Sequence, residues 1–170
     1  VAFSVSPATA GSAATMTVTF TMPTSHATGE TVTMKLTGYA LSAGAVSVTA
    51  VAPMGSTFTG AVLPGALDTV VATLANPVPA GTVTLRFPVA NPAAGTIARA
   101  GLTVATPKHT MPVASGSDIV ISAASVAAAL RFRQQPPSCT VSEQPLPGDV
   151  VMEVLDGSGQ VIPGAAGEVG

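Results

Sequence analysis

The chain has 170 residues, 8% of them charged, with six Lys and Arg, eight Asp and Glu and a formal net charge of -2. Six scattered basic side chains are too few to neutralise a nucleic-acid backbone, and abundant apolar residues with little net charge exclude disorder driven by charge repulsion. One cysteine excludes a disulfide framework within the chain, and apolar runs such as residues 126–130 fall far short of the roughly 20 residues of a membrane helix.

In chain order, residues 3–6 read as a short strand closed by Pro7. In residues 15–22 the apolar set Met16, Val18, Phe20 and Met22 alternates with Thr15, Thr17, Thr19 and Thr21. A period of two buries one face of a strand and wets the other. Residues 31–37 repeat it, with Val32, Met34 and Leu36 against Thr31, Thr33, Lys35 and Thr37. Weaker strand candidates follow at 45–51, 57–62 and 69–74. The alternation returns in Val83, Leu85, Phe87 and Val89 against Thr82, Thr84 and Arg86, and 97–106 and 118–122 are further candidates. Pro and Gly punctuate turns at 23–29, 53–55, 64–65, 76–81, 91–95 and 107–116. Threonine suits the wet face because its branched Cβ fits a pleated surface. Residues 123–130 read as a connector or a strand leading onward. Strands at this spacing, with no capped helical period, predict an all-β antiparallel sandwich.

A composition shift divides the chain. Residues 1–124 hold seven charged side chains and 31 Ser and Thr; residues 125–170 hold seven charges and five Ser and Thr in far less length. The second part offers a strand at 150–155, the turn Asp156-Gly157-Ser158-Gly159-Gln160 and a return strand from Val161. About three strands cannot build a core, so residues 125–170 read as an incomplete second module. The chain opens at Val1 without a basic-plus-apolar leader, which reads as a processed product or a segment of a longer protein.

Certain residues carry a family resemblance. They are Val5-Ser6-Pro7-Ala8-Thr9-Ala10-Gly11, the alternating stretch 15–22, Gly29-Glu30-Thr31-Val32-Thr33, Pro79-Ala80-Gly81-Thr82-Val83, Asn91-Pro92-Ala93-Ala94-Gly95-Thr96 and Thr103-Val104-Ala105-Thr106. With these, residues 1–124 resemble the Thr/Ala/Gly-rich immunoglobulin-like β-sandwich repeats of extracellular surface and fibre proteins in bacteria, archaea and algae. Leu130, Phe132, Gln135-Pro136 and residues 154–159 resemble the opening half of another such repeat. The resemblance implies an antiparallel immunoglobulin-like sandwich followed by an incomplete second immunoglobulin-like module. It also implies an adhesive, spacer or fibre-forming role outside the cell.

Chemistry-bearing residues are sparse. His26 and His109 fall in predicted loops, and no Gly-x-Ser-x-Gly elbow exposes a nucleophile. Ser25 or Ser117 with His109 and Asp118 forms a triad by composition only, and triads are defined by geometry. Two His and a distant Cys do not match a zinc site, so no catalytic, cofactor-binding or metal residue is expected. The Asp156 turn lacks the further acids that calcium needs and reads as a hairpin. In the first module Glu30, Asp68 and Asp118 give no carboxylate pair for glycoside hydrolysis. Tyr39, after Gly38, is the aromatic side chain placed for exposure, while Phe20, Phe87 and Phe132 fall on apolar strand faces as core candidates.

Cys139 reads either as an intermolecular disulfide or as a buried thiol. Asn76 and Asn91 are each followed by Pro, which removes any N-glycosylation acceptor. O-linked sugars are open to Ser6, Thr106, Thr110 and Ser138, and Pro136 and Pro137 are candidates for hydroxylation and glycosylation in an alga. The expected function is that of a structural subunit of an extracellular fibre or cell-surface assembly. It would polymerise with itself by strand addition, donating residues 1–6 or 119–132, or by head-to-tail sandwich contacts. The alternative is a spacer or carbohydrate-binding module of a long adhesin.

Overall fold

The computed structural model describes residues 1–133, 151–157, 159–162 and 167–168. The chain divides into two compact units, Val1–Ala124 and Ser125–Gly170.

The first unit is an antiparallel β-sandwich. One sheet has four strands in the order β1 (Ala2–Ser6), β2 (Ala13–Met22), β8 (Gly81–Ala90) and β5 (Thr49–Ala52). The other has six, in the order β11 (His109–Ala114), β10 (Leu102–Thr106), β3 (Thr31–Leu36), β7 (Thr69–Leu74), β6 (Phe58–Val62) and β4 (Gly44–Val46). A short ribbon pairs β9 (Gly95–Ile97) with β12 (Ile119–Ile121).

The alternation sets the register. Met16, Val18 and Phe20 stand opposite Phe87, Leu85 and Val83, so both strands turn their apolar sets to the same face. Across the sandwich, Val32, Met34 and Leu36 do likewise beside Val70, Ala72, Leu74, Leu102 and Val104. All these side chains are buried in one cluster. Each stabilises the fold by about 1.5–3 kcal/mol for a Val, Leu, Phe or Met taken out of water. On the outer face Thr19 and Thr84, directly opposed, share a 3.1 Å hydrogen bond between hydroxyls.

Two candidate strands each break in two. Residues 45–51 supply the end of β4, in the six-stranded sheet, and the start of β5, in the four-stranded one; the chain switches layers at Ser47 and Val48. Gly60 on β6 lies under this crossing. A Cβ there would meet Val48 Cγ2 at 2.3 Å and the Val46 carbonyl oxygen at 2.6 Å, so only glycine fits. Residues 97–106 divide into β9, a 3-10 turn at Arg99–Gly101 and β10.

The stretch 107–116, expected as a turn, contains β11. Its turn proper is confined to Pro107 and Lys108, so His109 and Thr110 lie on a strand and not in a loop. Between the pairs Val104–Val113 and Thr106–His109, three residues of β11 face the single Ala105. This bulge bends the strand and accommodates Pro112.

Near the chain entry, β1 packs beside the segment leading into β12. The Gly116 N–H donates to the Val1 carbonyl oxygen at 2.9 Å. Ala10 N–H donates to the Ser122 oxygen and Ser122 N–H to the Ala8 oxygen, each at 2.8 Å, in a parallel arrangement. Asn91, buried just after β8, reaches the same corner. Its Nδ2 donates to the carbonyl oxygens of Pro7 and Thr9 at 2.7 and 2.9 Å.

In the second unit, β13 (Ala127–Phe132) pairs with β14 (Val151–Asp156), which pairs with β15 (Gly167–Glu168). The Asp156 turn is a hairpin. Asp156 Oδ1 accepts the Gln160 N–H at 2.9 Å, and Ile162 N–H returns to the Val154 oxygen at 2.9 Å.

Candidate interaction surface

Of the compositional triad, the Asp118 side chain serves local structure, Ser117 engages through its backbone and His109 is exposed. His26 is buried, with Nδ1 2.9 Å from the Thr24 carbonyl oxygen, and its backbone bridges Val78. Asp118 Oδ1 accepts the Arg99 N–H at 2.8 Å, and Ser117 closes a tight turn with the Ser115 hydroxyl. His109 is exposed at the start of β11. Glu30 accepts the Ala27 N–H and pairs with Lys108 at 3.6 Å, while Asp68 pairs with Lys35 at 3.9 Å. Such surface pairs contribute little, about 0–1 kcal/mol. Among the described residues no group of three or more His, Cys, Asp or Glu side chains could hold a metal ion. No helix among them is long and apolar enough to cross a membrane.

Tyr39, expected at the surface, is only 4% exposed. Its N–H closes a turn onto the Leu36 oxygen at 2.9 Å, and its hydroxyl, buried, has no hydrogen-bond partner. It offers no platform for a sugar. Burial raises the phenol above its ordinary value, because the phenolate loses hydration. With one Tyr and no Trp in the chain, a spectrophotometric titration reports this group directly. The midpoint should lie above the ordinary value of about 10. Since the folded state holds this proton more tightly, its contribution to stability is complete below about pH 10 and is lost as pH rises through the folded value. A midpoint at the ordinary value would contradict the burial.

The candidate modification sites separate. Ser6 is exposed at the end of β1. Thr106 is the last inward residue of β10, 9% exposed, and its Oγ1 is closed to a transferase acting on the folded sandwich. Thr110 belongs to β11. Pro136, Pro137, Ser138 and Cys139 lie outside the described residues.

The edges of the first unit are blunted without the usual charges. β4 has three residues; β5 has four, with a bulge, and runs into Pro53. β11 carries its bulge and Pro112, and β1 is flanked on both sides in sequence by residues bonded to the 116–122 segment, Val1 before it and Ala8 and Ala10 after it. Short strands, bulges, proline and covering segments all prevent edge-to-edge pairing. The proposed donor segments are also engaged: Ala2–Ser6 pairs with β2 and Ile119–Ile121 with β9.

β13 is different. It is six residues long, lacks proline, and every residue in it is exposed; its register shift lies at Ala127–Ala129, before Leu130. Leu130 stands opposite Val154 and Phe132 opposite Met152, which places four apolar side chains on one face of the ribbon. Leu130 is 65% and Phe132 48% exposed. Phe132 is therefore a surface residue, contrary to its core pattern. The opposite face carries Arg131 and Glu153, joined at 2.6 Å, with Arg133 also near that carboxylate at 3.9 Å. A shallow trough lined by Ala127, Ala128, Ala129, Leu130 and Val154 runs along the strand.

No protein-family model matches the chain, and no characterised protein or solved structure matches it.

Proposed function

We propose that this chain is a structural subunit of an extracellular or cell-surface assembly, built from immunoglobulin-like modules and joined to further copies of itself through the β13 ribbon. The observation that carries the reading is the apolar face of Leu130, Phe132, Met152 and Val154 along a six-residue strand whose register irregularity is confined to Ala127–Ala129. Among the described residues β13 pairs with β14 alone; a strand edge of this kind can take a strand from a neighbour, while an apolar face gives the contact its driving force. Few charges on the sandwich keep like-charge repulsion between packed copies small. O-linked glycans at accessible hydroxyls such as Ser6 would hydrate the remaining surface.

Sedimentation velocity on the full chain over a concentration series tests this. The wild type should associate. The pair Leu130→Lys and Phe132→Lys should weaken association by about tenfold or more, because each buried side chain contributes roughly 1.5–3 kcal/mol. Arg131→Ala, on the other face, should change it little. A wild type that stays monomeric at every concentration would sink the proposal.

The blunted edges of the first unit favour a second reading, a spacer module of a long adhesin. A monomeric chain with both units folded would select it.

A further inference from the structure

Beneath the bulged strand β11 the two sheets part, leaving a recess of about 160 Å³. Its floor is Phe20, Met22 and Val104, its rim is Val113 and His109, and Thr106 is a polar residue in its wall. Three residues of β11 oppose one of β10, a bulge that bends the strand at the rim of the recess.

Thr106 is more than nine-tenths buried, and its Oγ1 has no hydrogen-bond partner. A buried hydroxyl without a partner is costly, and such groups in folded proteins normally have an explanation. Thr106 is among the residues that line the recess. A dry apolar cavity of roughly 150 Å³ accommodates a benzene-sized molecule.

We propose that this recess is a binding site for a compact, monocyclic, apolar ligand bearing one hydroxyl group, with the ring on Phe20, Met22 and Val104 and the hydroxyl paired with Thr106. The apolar walls supply affinity, and the one buried polar side chain fixes orientation, the usual division of labour in a small-molecule site. His109, exposed at the rim, lies where a ligand would enter.

Phenol and toluene, which differ by one hydroxyl in place of a methyl, are the probes. Dissociation constants on the full chain come from titration of the methyl resonances of Val104 and Val113. Both probes should shift those resonances. Thr106→Val preserves shape and removes the hydroxyl, so the ratio of toluene to phenol dissociation constants should fall by about tenfold, the worth of one hydrogen bond. Thr106→Val without ligand should be no less stable than the wild type, since it deletes a polar group that has no partner. Val113→Phe fills the rim and should abolish binding of both probes.

Absence of binding by the wild type overturns the site. Binding that survives Val113→Phe places the ligand elsewhere and overturns it too. An unchanged ratio in Thr106→Val overturns the hydroxyl-bearing ligand class. Loss of stability in Thr106→Val without ligand assigns the hydroxyl a structural role and overturns the proposal.

Discussion

Replacing Gly60 by alanine should lower the stability of the first unit by about 2–3 kcal/mol, although alanine in a strand ordinarily stabilises relative to glycine. The new methyl would sit 2.3 Å from Val48 Cγ2 and 2.6 Å from the Val46 carbonyl oxygen. Val48 could rotate, but the carbonyl belongs to the backbone of β4, which is held by its pairing with β6. Relief therefore requires the crossing segment to lift from the sheet, uncovering Val48, which is 8% exposed in the native fold. Gly116→Ala is the control, because its Cβ would meet the Val1 oxygen at an ordinary 3.6 Å. Urea unfolding of the two variants should separate them clearly. Equal midpoints would mean that the layer crossing is looser than its geometry.

Asn91→Ala should cost about 2–4 kcal/mol. The side chain is 5% exposed, and its amide donates to the oxygens of Pro7 and Thr9, with the Ser12 hydroxyl at 3.3 Å. Alanine would leave both carbonyls without that donor and open a small void. Asn91→Asp should be worse at neutral pH, because a carboxylate would face two carbonyl oxygens with no proton to share. Burial and those oxygens would raise the introduced acid's folded pKa above its unfolded value. Its neutral form is then favoured in the folded state, so Asn91→Asp should recover stability as pH falls. Thermal unfolding at neutral and acidic pH checks both. A pH-independent Asn91→Asp variant, no worse than alanine, would remove the amide from this role.

Neither Asn91 nor Gly60 stands out in the sequence, because both act through neighbours distant along the chain. Asn91 sits in an Asn-Pro turn signal, and nothing local says that it reaches residues 7–12. What the sequence reveals well is the side-chain period. β2, β3 and β8 alternate strictly and are buried on the expected face. The layer switch at Ser47 and Val48 was invisible because apolar character continues across it. β11 was hidden by Pro107, Pro112 and Gly116, residues that punctuate loops yet are tolerated on a bulged edge strand. Phe132 shows the reverse failure. Its alternation marks a strand face, and a strand face becomes core only where another layer covers it. The recess was least legible, since its walls come from β2, β10 and β11 and its rim lies at a bulge.

The parallel contact between the two ends of the sandwich has a mechanical meaning. The chain enters at Val1 and leaves the unit at Ala124, and the segments inside those points run side by side in the same direction. Force applied at entry and exit pulls neighbouring parallel segments lengthwise past each other. The bonds from Gly116 to Val1, from Ala10 to Ser122 and from Ser122 to Ala8 would then share the load in shear, and none could open alone at a free end. A row of such units under tension would yield abruptly, unit by unit, and would resist extension until each clasp gave way.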